Sequence, residues 1–167
     1  VSIACEHQGR PEIAVVFDPM RSELFTASRG SGAQLDGRRI RVTRRRSLDG
    51  ALIGTGFPYR SNVKYLKPYL AMLEVVMGEV AGIRRPGSAA LDLAYVACGR
   101  LDGFWEIGLA PWDTAAGTLL ITEAGGMVGT QAGATQERDR ASERYRIYTT
   151  ALAAVEREYV EAIEPAQ

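Results

Sequence analysis

Residues 106–126 read Glu-Ile-Gly-Leu-Ala-Pro-Trp-Asp-Thr-Ala-Ala-Gly-Thr-Leu-Leu-Ile-Thr-Glu-Ala-Gly-Gly, which predicts a strand end followed by an apolar helix of small residues. The helix is expected over residues 114–124 and is closed by the two glycines. Asp113 then lies at the helix start, where backbone amides and the helix dipole favour negative charge. A plain capping aspartate is one interpretation. Glu106, at the end of the preceding strand, favours the other, because open α/β sheets bind ligands where strand ends face helix starts.

A second stretch, residues 84–90, reads Arg-Arg-Pro-Gly-Ser-Ala-Ala before a helix expected over residues 88–98. Glycine and small residues at a helix start let backbone amides approach an oxyanion, and the two arginines would add positive charge. An ordinary serine-capped helix is the alternative. Asp92, within this helix, is interpreted as an outward polar position. Trp112 is expected either to shield Asp113 from solvent or to lie in the core.

The first fifty residues favour an antiparallel meander. Extended runs are predicted over residues 1–6, 12–18, 23–27 and 33–35, and Asp36-Gly37 is a strong tight-turn dipeptide. From residue 51 onward strands and helices alternate, which indicates an α/β layered domain. The predicted strands cover residues 51–55, 82–85, 103–107 and 145–149, and further helices cover residues 65–80 and 151–163. Residues 1–50 and 51–167 are thus two regions of one structural unit, with a polar loop expected over residues 130–144.

Composition excludes several classes of protein. The chain has 167 residues, 46% hydrophobic composition, and 20 basic against 20 acidic residues, so no overall charge attracts nucleic acid or an anionic membrane. No apolar run approaches the roughly 18 residues that span a bilayer, and the first residues, Val-Ser-Ile-Ala-Cys-Glu, do not form a charged-then-apolar signal segment. Cys5 and Cys98 are both expected to be small buried hydrophobes. A reducing cytoplasm is the expected location.

Several of these stretches resemble the inositol monophosphatase family, in particular its bacterial SuhB-type branch. Residues 112–126 are similar to a signature of that family, and residues 87–106, 17–27 and 32–37 resemble it in order and spacing. The resemblance extends from Val1 to about residue 128. It implies the layered αβαβα sandwich of the sugar phosphatases, an α/β (α+β) fold that here lacks its N-terminal portion.

The resemblance also implies an activity and a set of site residues. The family hydrolyses inositol 1-phosphate to inositol and phosphate with Mg²⁺ and without a covalent protein intermediate, and its members form homodimers. Asp113 matches the catalytic carboxylate that binds magnesium and lies near the inositol hydroxyls. Glu106 matches the residue that binds a sugar hydroxyl. The substrate-contacting segment of the family corresponds to Gly87, Ser88 and Ala89.

The chain departs from the family pattern at its start. Family members carry a glutamate pair and an Asp-Pro-x-Asp-Gly-Thr segment upstream of the strand that begins here at Val1, and this sequence contains neither. Each magnesium ion needs several oxygen ligands, so Asp113 alone cannot hold a metal cluster. We therefore expect the chain to be a truncated or processed product that is inactive alone, and about a hundred further residues would complete the site.

Two other functions remain open. A regulatory protein or pseudoenzyme that binds RNA or the transcription machinery would use the arginine-rich residues 38–46. A solvated hairpin edge explains the same residues, since no aromatic side chain interleaves them as base stacking requires. The second alternative is a phosphatase for another sugar phosphate, such as fructose 1,6-bisphosphate.

Overall fold

The computed structural model describes residues 1–129, so the loop, strand and helix predicted beyond residue 130 lie outside the described residues. The first region forms one antiparallel sheet whose five strands follow chain order. These strands are β1 (Ser2–His7), β2 (Arg10–Asp18), β3 (Glu23–Ser28), β4 (Gly32–Leu35) and β5 (Arg38–Arg39). The predicted meander is confirmed. The short edge strand β5 was not predicted, but it agrees with the hairpin-edge interpretation of the arginines.

Alternating side chains give this sheet one buried face. Ala14 and Val16 of β2 are buried and pair in register with Ala27 and Phe25 of β3, both also buried. Ile13, which directly precedes Ala14, is half exposed, as expected for a strand with period two. A continuous apolar surface therefore faces one side of the sheet and must be covered by other elements.

The second region forms a three-stranded parallel sheet with three α-helices. Its strands are β6 (Leu52–Thr55), β7 (Gly82–Arg84) and β8 (Gly103–Trp105), in the order β7-β6-β8. A 3-10 helix (Arg60–Tyr65) leads into α1 (Leu66–Glu79), and the other helices are α2 (Ala89–Ala97) and α3 (Pro111–Glu123). The sequence predicted α1 from residue 65 but did not predict the 3-10 turn.

Helices α2 and α3 lie between the two sheets. Their buried leucines and alanines share one core with the buried face of the antiparallel sheet, and Leu52 and Phe104 contact that core from the parallel sheet. On the opposite face of the parallel sheet, Trp105 packs against Tyr69 of α1. The described residues therefore form the layers β-α-β-α, in agreement with the predicted α/β sandwich.

The two central helices approach each other closely. A methyl group on Gly117 of α3 would lie 2.5 Å from Leu93 Cβ of α2, so only glycine permits this spacing.

The two cysteines differ in burial, although both were expected to be buried. Cys5 is exposed, because it lies on the solvent face of edge strand β1, whereas Cys98 is half-buried. The division of the unit at residue 50 stays a prediction. Within residues 1–129, no helix is long and apolar enough to cross a bilayer.

Candidate active site

The carboxyl ends of the three parallel strands meet the start of α2. Because the strands run in the same direction, the residues that follow them emerge at one edge of the sheet, where open α/β sheets bind ligands. Gly56 follows β6, Arg85 follows β7 and Glu106 follows β8. This edge therefore gathers three residues that are far apart in sequence.

The Glu106 carboxylate lies directly against the backbone of Gly56. A Cβ added to Gly56 would be 2.0 Å from Glu106 Cδ and 2.2 Å from each carboxylate oxygen. Burial raises the pKa of Glu106, the negative charge of Asp113 raises it further, and Arg85 opposes both. The sequence prediction placed Glu106 at a strand end, and the structure has it immediately after β8.

Asp113 occupies the first turn of α3, which begins at Pro111 and not at residue 114 as predicted. Its Oδ2 accepts a hydrogen bond from the backbone amide of Ala110 at 3.0 Å, so the capping interaction exists. The side chain is only half-buried, and its charge reaches Glu106. Capping uses one oxygen, which leaves the carboxylate chemically able to bind a hard cation as well.

The segment formed by Gly87, Ser88 and Ala89 begins α2. Gly87 has a φ of 94°, in the left-handed region that favours glycine, and both it and Ser88 are exposed. Ser88 is the N-cap residue, yet its side chain makes no capping hydrogen bond, contrary to the serine-capped alternative. Ala89 is buried and anchors the segment to the core.

Arg85 places a positive charge at the rim of this edge. Its guanidinium donates a hydrogen bond to Tyr59 Oη at 2.8 Å. It also lies 5.1 Å from the Tyr59 ring centroid and 5.6 Å from that of Phe57, within the range of cation–π attraction. The aromatic pair thus holds the cation beside the start of α2.

Asp92 is buried and does not point outward, contrary to the sequence interpretation. Its exposed fraction is 1%, and neither carboxylate oxygen has a hydrogen-bond partner among the described residues. Burial raises its pKa from the ordinary 3.8 to about 6, the negative charge of Glu106 adds to the shift, and the Ser88 backbone and the charge of Arg85 oppose it. The available signal was its position, a lone acid in the otherwise apolar run Ala-Ala-Leu-Asp-Leu-Ala.

Trp112 neither shields Asp113 from solvent nor lies in the core, because 75% of it is exposed at the first turn of α3. Both sequence interpretations of this residue were wrong.

The described residues provide few oxygen ligands that could bind one magnesium ion together. Within residues 1–129, no group of three or more His, Cys, Asp or Glu side chains is placed to hold a metal ion. Asp113 fits magnesium as a single hard oxygen ligand, but the described residues do not form a complete metal site.

Known proteins resemble this chain in both sequence and structure. A sequence model described as "Inositol monophosphatase family" matches residues 1–164. The chain is 61% identical over 134 residues to "Nus factor SuhB" of Pseudomonas aeruginosa, covering 80% of this chain and 49% of that protein. It is 60% identical over 126 residues to "Inositol-1-monophosphatase" of Rhizobium meliloti, covering 75% and 47%. The chain thus spans about half the length of the curated relatives it matches.

Solved structures agree with these matches. The extragenic suppressor protein suhB of Bartonella henselae has a TM-score of 0.80 and 48% identity, with 90% of this chain and 60% of that chain covered. The inositol monophosphatase TM1415 of Thermotoga maritima has a TM-score of 0.78 and 34% identity, covering 97% and 62%. The fold is therefore shared across relatives of quite different sequence.

Proposed function

The chain belongs to the inositol monophosphatase family, and we propose that it supplies one part of a magnesium-dependent site that hydrolyses inositol 1-phosphate to inositol and phosphate. The observation that carries the proposal is the meeting of Gly56, Glu106 and the start of α2 at the carboxyl edge of the parallel sheet. A carboxylate acceptor beside the exposed residues that precede α2 suits a ligand that carries both hydroxyl and phosphate groups.

Each site residue has a proposed role. Glu106 accepts a hydrogen bond from an inositol hydroxyl, and its contact with Gly56 fixes where that hydroxyl must lie. Residues 87–89 contact the substrate through backbone and small side chains, with Arg85 adding attraction for an anion. Asp113 is the catalytic carboxylate that contributes one magnesium ligand. Bound magnesium supplies activation of water and neutralisation of the phosphate charge.

Because no group of three or more His, Cys, Asp or Glu side chains in the described residues is placed to hold a metal ion, we expect this chain alone to be inactive. The test joins it to the part of the Pseudomonas aeruginosa relative that lies upstream of the matched region. Phosphate release from inositol 1-phosphate is measured with and without Mg²⁺ for the chain, the chimera and the chimera with Asp113→Asn. We expect release only from the unmodified chimera with Mg²⁺. A folded chimera without activity would contradict the proposal.

The same assay distinguishes substrates. We expect inositol 1-phosphate to be hydrolysed with a higher kcat/KM than fructose 1,6-bisphosphate, because the resemblance around Gly87 follows the SuhB-type branch. The reverse preference would assign the chain to the second sugar phosphate.

The homodimer expected from the family is tested on the same samples by sedimentation. The cytoplasmic location is tested by fractionation of cells.

A regulatory role in transcription is the second candidate, favoured by relatives that carry the name Nus factor SuhB. Arg38, Arg41, Arg44 and Arg46 are all exposed and would be the RNA-binding surface. If they bind RNA, replacing Arg44 and Arg46 by glutamine lowers affinity for single-stranded RNA and flattens its salt dependence. If RNA binding does not depend on salt, or if the two substitutions leave the affinity unchanged, these arginines form only a solvated edge.

A further inference from the structure

The loop over residues 106–110, here called the site loop, joins the two carboxylates of the candidate site. Glu106 begins it, and Asp113 lies in the helix turn that follows, so its path sets the separation of the two groups. The end of the loop is held by α3, because the Ala110 amide donates to Asp113 Oδ2 at 3.0 Å. Its start is held where the Glu106 carboxylate lies against Gly56. Between these two ends, the loop depends on contacts from another element.

Asn62 of the 3-10 helix contacts the middle of the site loop. Its Nδ2 donates a long hydrogen bond of 3.4 Å to the Gly108 carbonyl oxygen. Its carboxamide also fills the space that a side chain at Gly108 would need, because an added Cβ would lie 2.2 Å from Asn62 Nδ2. Gly108 has a φ of 81°, in the left-handed region that favours glycine. Asn62 is itself held in its turn, since its amide donates to the Tyr59 carbonyl oxygen at 2.8 Å.

The segment that leaves β6 follows the site loop from its start to its middle. Thr55 Oγ1, the last strand position, donates to the Trp105 carbonyl oxygen at 2.9 Å, directly before the loop. Gly56, the next residue, lies against the Glu106 carboxylate. The Asn62 contact is the third from the same segment. The course of the loop is therefore determined by the segment after β6 as well as by its own helix.

We infer that Asn62 is a positioning residue for the site loop, an inference that rests on the proposed roles of Glu106 and Asp113. By holding the middle of the loop, Asn62 keeps the hydroxyl acceptor and the magnesium ligand at one separation before substrate binds. It acts through the loop and not by contact with the substrate. A purely structural Asn62 would instead support only its own 3-10 helix, and its loss would not alter the order of the loop.

Amide hydrogen exchange of this chain tests the role without any activity. Asn62→Ala removes the carboxamide beside the loop, so the Ala110 amide, which Asp113 accepts, should exchange about 5–20 times faster. The buried Ala124 amide at the other end of α3 reports opening of the whole helix and should keep its rate. Val63→Ala in the same 3-10 helix is the matched control and should change neither amide. Unchanged exchange at Ala110 in Asn62→Ala, or equal acceleration at Ala124, would overturn the inference.

A double-mutant cycle tests the contact itself. Gly108→Ala should lower Tm by about 2–4 °C more in the wild type than in Asn62→Ala, because the carboxamide then no longer occupies the space of the methyl group. The cost of an alanine with positive φ is common to both backgrounds and cancels. Equal losses of Tm would show that the side chain of Asn62 does not hold the loop, and the inference would fail.

Kinetics of the chimera connect the loop to the proposed activity. Asn62→Ala should lower kcat/KM for inositol 1-phosphate by about tenfold, because both carboxylates lose their fixed separation, whereas Val63→Ala should change it less than about twofold. Equal kcat/KM in the two variants would contradict the positioning role. If the unmodified chimera has no activity, the proposed function fails by itself, and hydrogen exchange still decides whether Asn62 orders the site loop.

Discussion

The two sides of the central helices α2 and α3 differ in how well their acidic side chains are hydrogen-bonded. Toward the antiparallel sheet, Asp18 accepts two hydrogen bonds, and Glu123 accepts the amides of Gly30 and Gly32, both at 2.7 Å. Toward the carboxyl edge of the parallel sheet, Asp92 has no partner among the described residues, and burial raises the pKa of Glu106. The acids on the antiparallel side are therefore satisfied by hydrogen bonds within the fold, whereas a buried acid without such a partner lies toward the edge where we propose that a ligand binds.

The largest effect is expected at Glu123, which links the end of α3 to the turn between β3 and β4. Glu123→Ala removes two charge-assisted hydrogen bonds and should lower the free energy of unfolding by about 2–4 kcal/mol. Urea unfolding measures the loss. The neighbouring exposed Thr122→Ala is the control and should change stability by less than about 0.5 kcal/mol. If Glu123→Ala changes the free energy of unfolding as little as Thr122→Ala does, the acids that face the antiparallel sheet do not stabilise the fold as described.

Asp92 should make stability depend on pH in the opposite sense from a stabilising acid. Its pKa is about 6 when folded and 3.8 ordinarily, so the folded state binds more protons between these values. Stability therefore falls as pH rises from about 4 through 6, and the ionised group costs about 1–3 kcal/mol at neutral pH. Thermal unfolding from acid to neutral pH should show this fall in the wild type and a weaker one in Asp92→Asn. If the stability of the wild type and of Asp92→Asn changes with pH in parallel, the raised pKa does not belong to Asp92.

Gly56→Ala sharpens the comparison at the ligand side. The added methyl group overlaps the Glu106 carboxylate and displaces it, so KM of the chimera should rise about tenfold, equivalent to about 1.4 kcal/mol. Gly78→Ala in α1 is the control, because no atom lies within 4 Å of its added Cβ. Steady-state kinetics of the two variants measure the contrast. Equal KM values would show that Glu106 does not need the Gly56 contact.

The smallest effect is expected at Arg100, on the side that holds the fold. Its guanidinium donates two hydrogen bonds of 2.7 Å to Glu23, which lower the pKa of Glu23, and it lies 5.1 Å from the Tyr95 ring centroid. Lysine keeps the charge but loses the forked geometry, so Arg100→Lys should cost about 0.5–1 kcal/mol because the pair is partly exposed. Arg38→Lys on the exposed edge strand is the control. If Arg100→Lys and Arg38→Lys are equally stable in urea, the forked contact between Arg100 and Glu23 does not stabilise the fold.

The sequence predicted the fold better than it predicted the site. Alternating apolar residues and strong turn signals determined the meander, and the helix-forming runs were found to within a few residues. Glu106 and Asp113 could be located by family resemblance. Arg85 was expected to add positive charge near the start of α2, but the place of Gly56 at the same edge could not be predicted, because the two residues follow different strands that meet only after the parallel sheet forms. Asp92 was misjudged because its helix is covered on both sides, and a single helix pattern does not show how many faces are buried.

Parallel urea unfolding of Asp92→Asn and Asp18→Asn at about pH 7.5 tests most directly whether unsatisfied and satisfied acids have different purposes here. Both substitutions neutralise a buried aspartate with almost no change in shape. We expect Asp92→Asn to stabilise the chain by about 1–3 kcal/mol and Asp18→Asn to destabilise it by about 1–2 kcal/mol. Destabilisation by both would contradict the distinction and make Asp92 an ordinary structural residue.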